Sequence, residues 1–199
     1  DWLENDRHCG VNTRNQRLMV LRSFFNYAGE LDCTQIALSV TVQNIPIKTP
    51  QSKVVEYLSE TALEVLLKQP DPTKRTGLRN LFFMVLMYDT AARCGELLGM
   101  KVRDLRIKVQ HPIAYLHGKG NKTRTVPLLT GTVQHCERYL RTFHTNEPAD
   151  SEKPLFYTVI HGIQQPMSAD TVALFLKKYG DLACRACPEV PPHIHAHML

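Results

Sequence analysis

Two cations stand where local geometry would single them out. Arg93 follows the apolar run Leu81–Met87, the pair Asp89-Thr90 and two alanines. Lys119 lies between Gly118 and Gly120. The planar fork of an arginine can hold two non-bridging oxygens of a phosphate at once. An ammonium on a hairpin tip can be carried to a leaving oxygen, which is what general-acid catalysis of phosphoryl transfer needs. Each residue also has a plainer reading. Arg93 could be paired with Glu96 three residues on, because a desolvated arginine is costly without an anion. Lys119 could be an ordinary surface lysine. The charge around them favours the phosphate. Between positions 101 and 124 the bases are Lys101, Arg103, Arg106, Lys108, Lys119, Lys122 and Arg124, and the one acid is Asp104. A run of one sign across a helix end and a hairpin suits a polyanionic partner.

A second constellation raises zinc. Cys184 and Cys187 form a C-x-x-C, and His193, His195 and His197 alternate near the end. The gap from the second cysteine to the first histidine is short for a finger, and H-x-H-x-H is not the H-x₃₋₅-H of zinc sites. A zinc-binding module is therefore the lesser reading, and the metal site is expected to be none. No G-x-S-x-G, Walker loop, dinucleotide fingerprint or EF-hand is present.

The elements that must position Arg93 and Lys119 follow from periodicity and turn chemistry. Asn12 reads as an N-cap for a helix with Leu18, Leu21, Phe24, Phe25 and Ala28 on one face, closed by Gly29. Arg14, Arg17 and Arg22 fall mostly off that face. A second helix covers 34–42. QNIPIKTPQSK, 43–53, carries two prolines and no helical period, so residues 44–53 read as a linker after a small helical part, 1–43. Ser59 caps a helix to about Lys68, with Leu63, Leu66 and Leu67 inward. Another helix runs from Lys74 to Asp89 and a short one starts near Cys94. Alternating, β-branched stretches at 107–117 and 123–128 flank G-K-G-N, a hairpin by its turn residues. Thr130–Phe143 is helical, 154–158 is a short strand, and Ser168 caps a helix to about Cys184 with Val172, Phe175 and Leu176 inward.

The chain has 199 residues, 43% of them hydrophobic, and a formal charge of +5. That is enough for one domain or somewhat more, with a real core. The longest apolar run falls far short of the roughly 20 residues of a membrane span. The N-terminus, DWLENDRHCG, is no signal peptide. Six widely spread cysteines fit reduced thiols and a cytoplasmic location.

The order of helix, AARCGELLGMKVRDL, strand, HGKGNKTRTVPL, helix and late histidine resembles the tyrosine site-specific recombinases, or phage integrases. NTRNQRLMVLRSFFNYA resembles the last part of their helical core-binding domain. GELLGMKVRDL and GKGNKTRTVPL together make the likeness specific, and it covers nearly the whole chain. The resemblance implies a mainly α fold with a small antiparallel β-sheet. The end of a core-binding domain, 1–43, would precede a catalytic domain, 54–199.

It also implies DNA strand breakage and rejoining through a 3′-phosphotyrosyl link, with double-stranded DNA as partner and no metal or nucleotide cofactor. The family's first arginine falls on Arg93, its supporting acid on Glu96, its hairpin lysine on Lys119, and the histidine of its H-x-x-R motif on His197. Arg14, Arg17, Arg22, Lys101, Arg103, Lys122 and Arg124 are the expected DNA contacts. The second arginine of H-x-x-R and the tyrosine nucleophile find no match, because all seven tyrosines precede His197. The expectation is a fragment cut at both ends: a monomer that binds DNA but cannot form the covalent link, from a parent that works as a tetramer on DNA. The alternative is a non-catalytic DNA-binding relative.

Overall fold

The computed structural model describes residues 2–51, 57–120 and 122–199. The chain divides into two compact units, 1–55 and 56–199.

The first unit holds α1 (Trp2–Asn5), α2 (Val11–Leu31), a 3₁₀ turn (Cys33–Gln35) and α3 (Ile36–Gln43). Gly10, not Asn12, is the N-cap of α2, and the helix passes Gly29 to end at Asp32. Asp32 starts the next turn by accepting from the Thr34 amide at 2.9 Å. Gly29 instead faces Ile36 and Ser39 of α3. The covered strip of α2 is also rotated from the expected one. Leu18 is buried, Arg22, Phe25 and Gly29 are half-buried, and Leu21 and Phe24 are exposed. The arginines account for this. Arg22 donates to the carbonyls of Gln43 and Ile45 at 2.8 and 2.6 Å, and Arg14 to that of Pro46 at 2.6 Å. A helix end leaves carbonyls without intrahelical partners, and these two forks supply donors. The segment after α3 is thus bonded back onto α2 as far as Lys48, whose amide donates to Asn15 at 3.2 Å. Ser52 and Lys53 of the expected linker lie outside the described residues.

The second unit is built around α5 (Arg75–Thr90). It also contains α4 (Glu60–Leu67), α6 (Cys94–Leu98), a 3₁₀ turn (Val102–Asp104), β1 (Leu105–Arg106), β2 (Ile113–Gly118), β3 (Lys122–Pro127) and α7 (Thr130–Phe143). β4 (Tyr157–Ile160), β5 (Ile163–Pro166), α8 (Ala169–Ala186) and a last 3₁₀ turn (Ala196–Met198) follow. Ser59 caps α4 through the Ala62 amide, and Ser168 caps α8 through that of Thr171. The fold is mainly helical with small antiparallel sheets. The three-stranded sheet has the order β1-β2-β3, and Gly118 pairs with Lys122 at the hairpin end. Phe82 and Phe83 of α5 are fully buried beside Phe156, and Phe82 also contacts Tyr139.

Two strand expectations change. Residues 107–112 form a loop that ends at Pro112, so the second strand begins only at Ile113. The strand expected at 154–158 lies at 157–160 and pairs with β5 through a turn in which His161 and Gly162 have φ of 50° and 79°. A His-Gly pair between Val159-Ile160 and Ile163 fits a turn of positive φ, a signal that the sequence did carry.

Candidate active site

Glu96 is the centre of a network that joins Arg93 to the Lys119 hairpin. Its position is dictated by the short helix α6. Arg93 is the N-cap, and as N3 residue Glu96 reaches back to accept from the Arg93 amide at 2.8 Å, the reciprocal half of a capping box. The same carboxylate accepts from Arg93 Nη1 at 3.2 Å. Arg124 of β3 grips it from the other side, with Nη1 on Oε1 and Nη2 on Oε2, both at 2.8 Å. A Cβ on Gly118, at the end of β2, would stand 3.0 Å from Oε1, so the backbone beside Lys119 rests against the carboxylate.

The chain reaches this point through a backbone turn. α5 ends at Ala91, which has φ 46° and ψ 38°, the left-handed region. For a residue with a Cβ that conformation costs on the order of 1 kcal/mol, and it is held here beside the site. Arg124 Nη2 also lies 3.4 Å from the Ala91 carbonyl.

The electrostatics follow. The Glu96 side chain is almost wholly buried, 5% exposed. The Arg124 guanidinium, with help from the Arg93 amide, holds its carboxyl down at about 2 against the desolvation that burial imposes. The Arg124 guanidinium is held correspondingly above its usual range by Glu96. Glu96 is therefore a fixed anion at neutral pH. Arg93 is different. Its side chain is 73% exposed, and among the described residues its Nε and Nη2 have no hydrogen-bond partner. The pairing with Glu96 thus exists, but it uses one nitrogen and leaves the rest of the fork facing outward.

The other candidates fall into three groups. Lys119 and Lys122 are exposed on the hairpin, and neither makes an ion pair among the described residues. Asn121 lies outside those residues. Lys101 and Arg103 both pair with Glu152, and Arg103 Nε also stands 3.8 Å from Asp104. Counting charges along 101–124 missed Glu152, because a partner some 50 residues away leaves no local mark. His117, passed over in the sequence, lies between Asp104 at 3.3 Å and the Thr123 hydroxyl at 2.9 Å. In the first unit Arg14 and Arg22 are committed to backbone carbonyls, while Arg17 is exposed and, among the described residues, has only the Cys9 sulfur as partner, at 3.7 Å.

His197 sits in the last 3₁₀ turn. It is exposed, its ring 6.2 Å from that of His195, and its neighbours Ala196, Met198 and Leu199 pack on the core. Among the described residues no hydrogen bond or ion pair ties it to Arg93, Glu96 or Lys119. The structure therefore brings Arg93 and the Lys119 hairpin together through Glu96 and leaves His197 outside that network. Among the described residues no group of three or more His, Cys, Asp or Glu side chains could hold a metal ion. No described helix is long and apolar enough to cross a membrane.

Arg93 and the Lys119 hairpin, joined through Glu96, sit on a mainly helical frame with a three-stranded sheet, and that frame is shared with a known family. Residues 56–199 match the model of the phage integrase family. The chain belongs to that family, the tyrosine recombinases. It is 33% identical over 128 residues to the putative integrase/recombinase y4rD of Sinorhizobium fredii, covering 64% of this chain and 46% of that protein. It is 28% identical over 181 residues to the tyrosine recombinase XerA of Pyrococcus horikoshii, covering 90% of this chain and 57% of that one. The Tn1549 transposon integrase, solved in complex with a circular intermediate DNA, shares the fold with a TM-score of 0.68 at 16% identity, over 98% of this chain and 66% of that one. The chain spans about half the length of the curated relatives it matches.

Proposed function

We propose that this chain is the DNA-binding and phosphate-holding part of a site-specific recombinase that breaks and rejoins double-stranded DNA through a 3′-phosphotyrosyl intermediate. One observation carries the reading: Glu96 holds Arg93 with most of its fork facing outward and supports the hairpin beside Lys119. Arg93 stabilises the charge that builds on the scissile phosphate as the nucleophile attacks. Lys119 gives a proton to the departing 5′-oxygen, and His197, assigned by its motif alone, hydrogen-bonds the phosphate or assists proton transfer. Exchange of one phosphodiester for a phosphotyrosine and back conserves bond energy, so no nucleotide is consumed. No residue of this chain matches the second arginine or the tyrosine nucleophile, so in this reading the chain binds DNA without forming the covalent link.

Residues 1–43 act as the end of a core-binding domain. Lys119, Lys122 and Arg17 meet phosphates, and Lys101 and Arg103 do so by exchanging the exposed Glu152 for DNA. Arg14, Arg22 and Arg124 contribute mainly through the intramolecular bonds they already make. The chain is a monomer alone, and its parent works as a tetramer on DNA. The test is a binding titration with a duplex of about 30 base pairs at two salt concentrations, followed by a denaturing gel. Binding that weakens steeply with salt, with no gel-stable adduct, is expected. No binding at low salt, or a covalent adduct on this chain, overturns the reading.

A further inference from the structure

The sequence treats Arg124 as one more cation for the DNA backbone, yet its guanidinium is already engaged. Both terminal nitrogens are 2.8 Å from the two oxygens of a buried carboxylate. Bidentate arginine–carboxylate pairs fix direction as well as distance. Arg124 is also the only side chain of β3 that reaches Glu96 among the described residues. Arg124 lies opposite Leu116 in the hairpin, and two rungs further along, Gly118 pairs with Lys122. The two-stranded arm that carries Lys119 is thus pinned at one place to α6, and Gly118 lies close enough to Glu96 for the arm to have little freedom there. Arg93 does not depend on Arg124 in the same way, because its amide and its own Nη1 bond Glu96 directly.

We propose that Arg124 is a positioning residue for proton donation: it locks the hairpin to Glu96 so that Lys119 is aimed at the leaving oxygen. The proposal rests on the recombinase reading above. In the step it serves, the tyrosine hydroxyl gives up its proton to water, its oxygen bonds to phosphorus, the bond from phosphorus to the 5′-oxygen breaks, and the lysine ammonium gives its proton to that oxygen and becomes a neutral amine. If the bridging 5′-oxygen is replaced by sulfur, the leaving group departs as a thiolate, which is stable without a proton. The donor and everything that aims it then become unnecessary, while stabilisation of the phosphate by Arg93 does not.

The experiment uses the full-length protein that carries this chain, with duplexes containing either a normal scissile phosphodiester or a 5′-bridging phosphorothioate, and reads the rate of covalent adduct formation. General acids contribute typically about 10²- to 10⁴-fold, so Lys119→Ala should lose that much on oxygen and recover on sulfur. Arg124→Met should lose about tenfold to a hundredfold on oxygen, part of that general-acid effect, and also recover on sulfur. Arg124→Lys keeps the charge but not the fork, and should fall between wild type and Arg124→Met on oxygen. A melting curve checks that each variant is folded. An Arg124→Met protein equally slow on both substrates, or unimpaired on both, overturns the positioning role. If Arg124→Met is unfolded, Arg124→Lys decides in the same way, by whether its loss disappears on sulfur. A wild-type protein that forms no adduct with either duplex fails differently and takes the recombinase reading down with it.

Discussion

Two long helices in this chain read alike in sequence and live differently. α2 has 21 residues, of which Leu18 alone is buried. α5 has 16, of which eleven are buried, a tract from Gly77 to Thr90 broken only at Val85, Tyr88 and Asp89. Both carry aromatic and aliphatic residues at helical spacing. The difference lies in their neighbours. α5 packs against α4, α6 and α7, with rings of Phe156 and Phe175 against its phenylalanines. α2 faces α3 and the short elements beside it, and Met19, Val20, Phe24, Tyr27 and Leu31 stay exposed. Spacing can nominate a face, but only the number of surfaces brought against a helix decides how much of it is buried.

The sharpest way to break that comparison is to remove one ring from α5. Phe82 is fully buried against Tyr139 and Phe156, so Phe82→Ala should cost about 3–5 kcal/mol by urea unfolding. Leu18→Ala in α2 should cost about 2 kcal/mol, at the low end for a buried leucine, because its surroundings can collapse into the gap. Equal losses would mean that α2 is as well supported as α5. Next in size is Gly118→Ala. The added methyl meets a carboxylate that two arginines prevent from yielding, so overpacking should cost about 1–3 kcal/mol. It should also shift the amide resonances of Lys119 and Gly120.

These differences also mark what the sequence could reveal. The helix bounds of the second unit were legible because capping serines and apolar periods agreed: Ser59, Ser168 and the inward set Val172, Phe175 and Leu176 stand as read. The hairpin around Lys119 was legible from its glycines, and Gly120 does take φ 76°. The role of Arg124 was not. Nothing in T-R-T-V distinguishes a guanidinium that will meet phosphate from one that will meet Glu96, 28 residues earlier. Glu152 stayed hidden for the same reason. Arg22 was placed off the covered face because that face was drawn through Leu21 and Phe24, whereas the strip actually covered runs through Leu18, Arg22 and Phe25, and the carbonyls after α3 hold Arg22 in it.

Acid tests the second unit in a further way. The Glu96 carboxyl is held near 2 in the folded chain, below the 4.5 of a free glutamate. The stability it contributes is therefore complete above about pH 4.5 and is lost as the pH falls toward 2. His144 acts earlier. It is buried, its Nε2–H donating to the Leu155 carbonyl at 2.9 Å, and burial lowers its pKa. The unfolded chain thus takes up that proton first, and stability begins to fall as the pH drops through about 6.5. Both groups lie in the second unit. Urea midpoints from pH 7 to 3 should show Glu96→Gln flattening the lower part of the fall and leaving the upper part unchanged. A Glu96→Gln curve parallel to wild type below pH 4.5 would mean that the arginine lock does not survive in solution.

The smallest expected effect tests the other side of the comparison. Phe24 is 59% exposed, on the very face that the sequence pattern assigned to the core. If that face has no cover, Phe24→Ala removes little buried surface, and the change should stay within about 0.5 kcal/mol, as for most surface substitutions. Phe24 does meet the Phe25 ring edge-on at 5.3 Å, and losing such a pair at an exposed site stays near the same bound, about 0.5 kcal/mol. A loss of about 3 kcal/mol, the size of a buried ring, would mean that the face nominated by spacing is covered after all. The contrast between α2 and α5 would then shrink to one of degree.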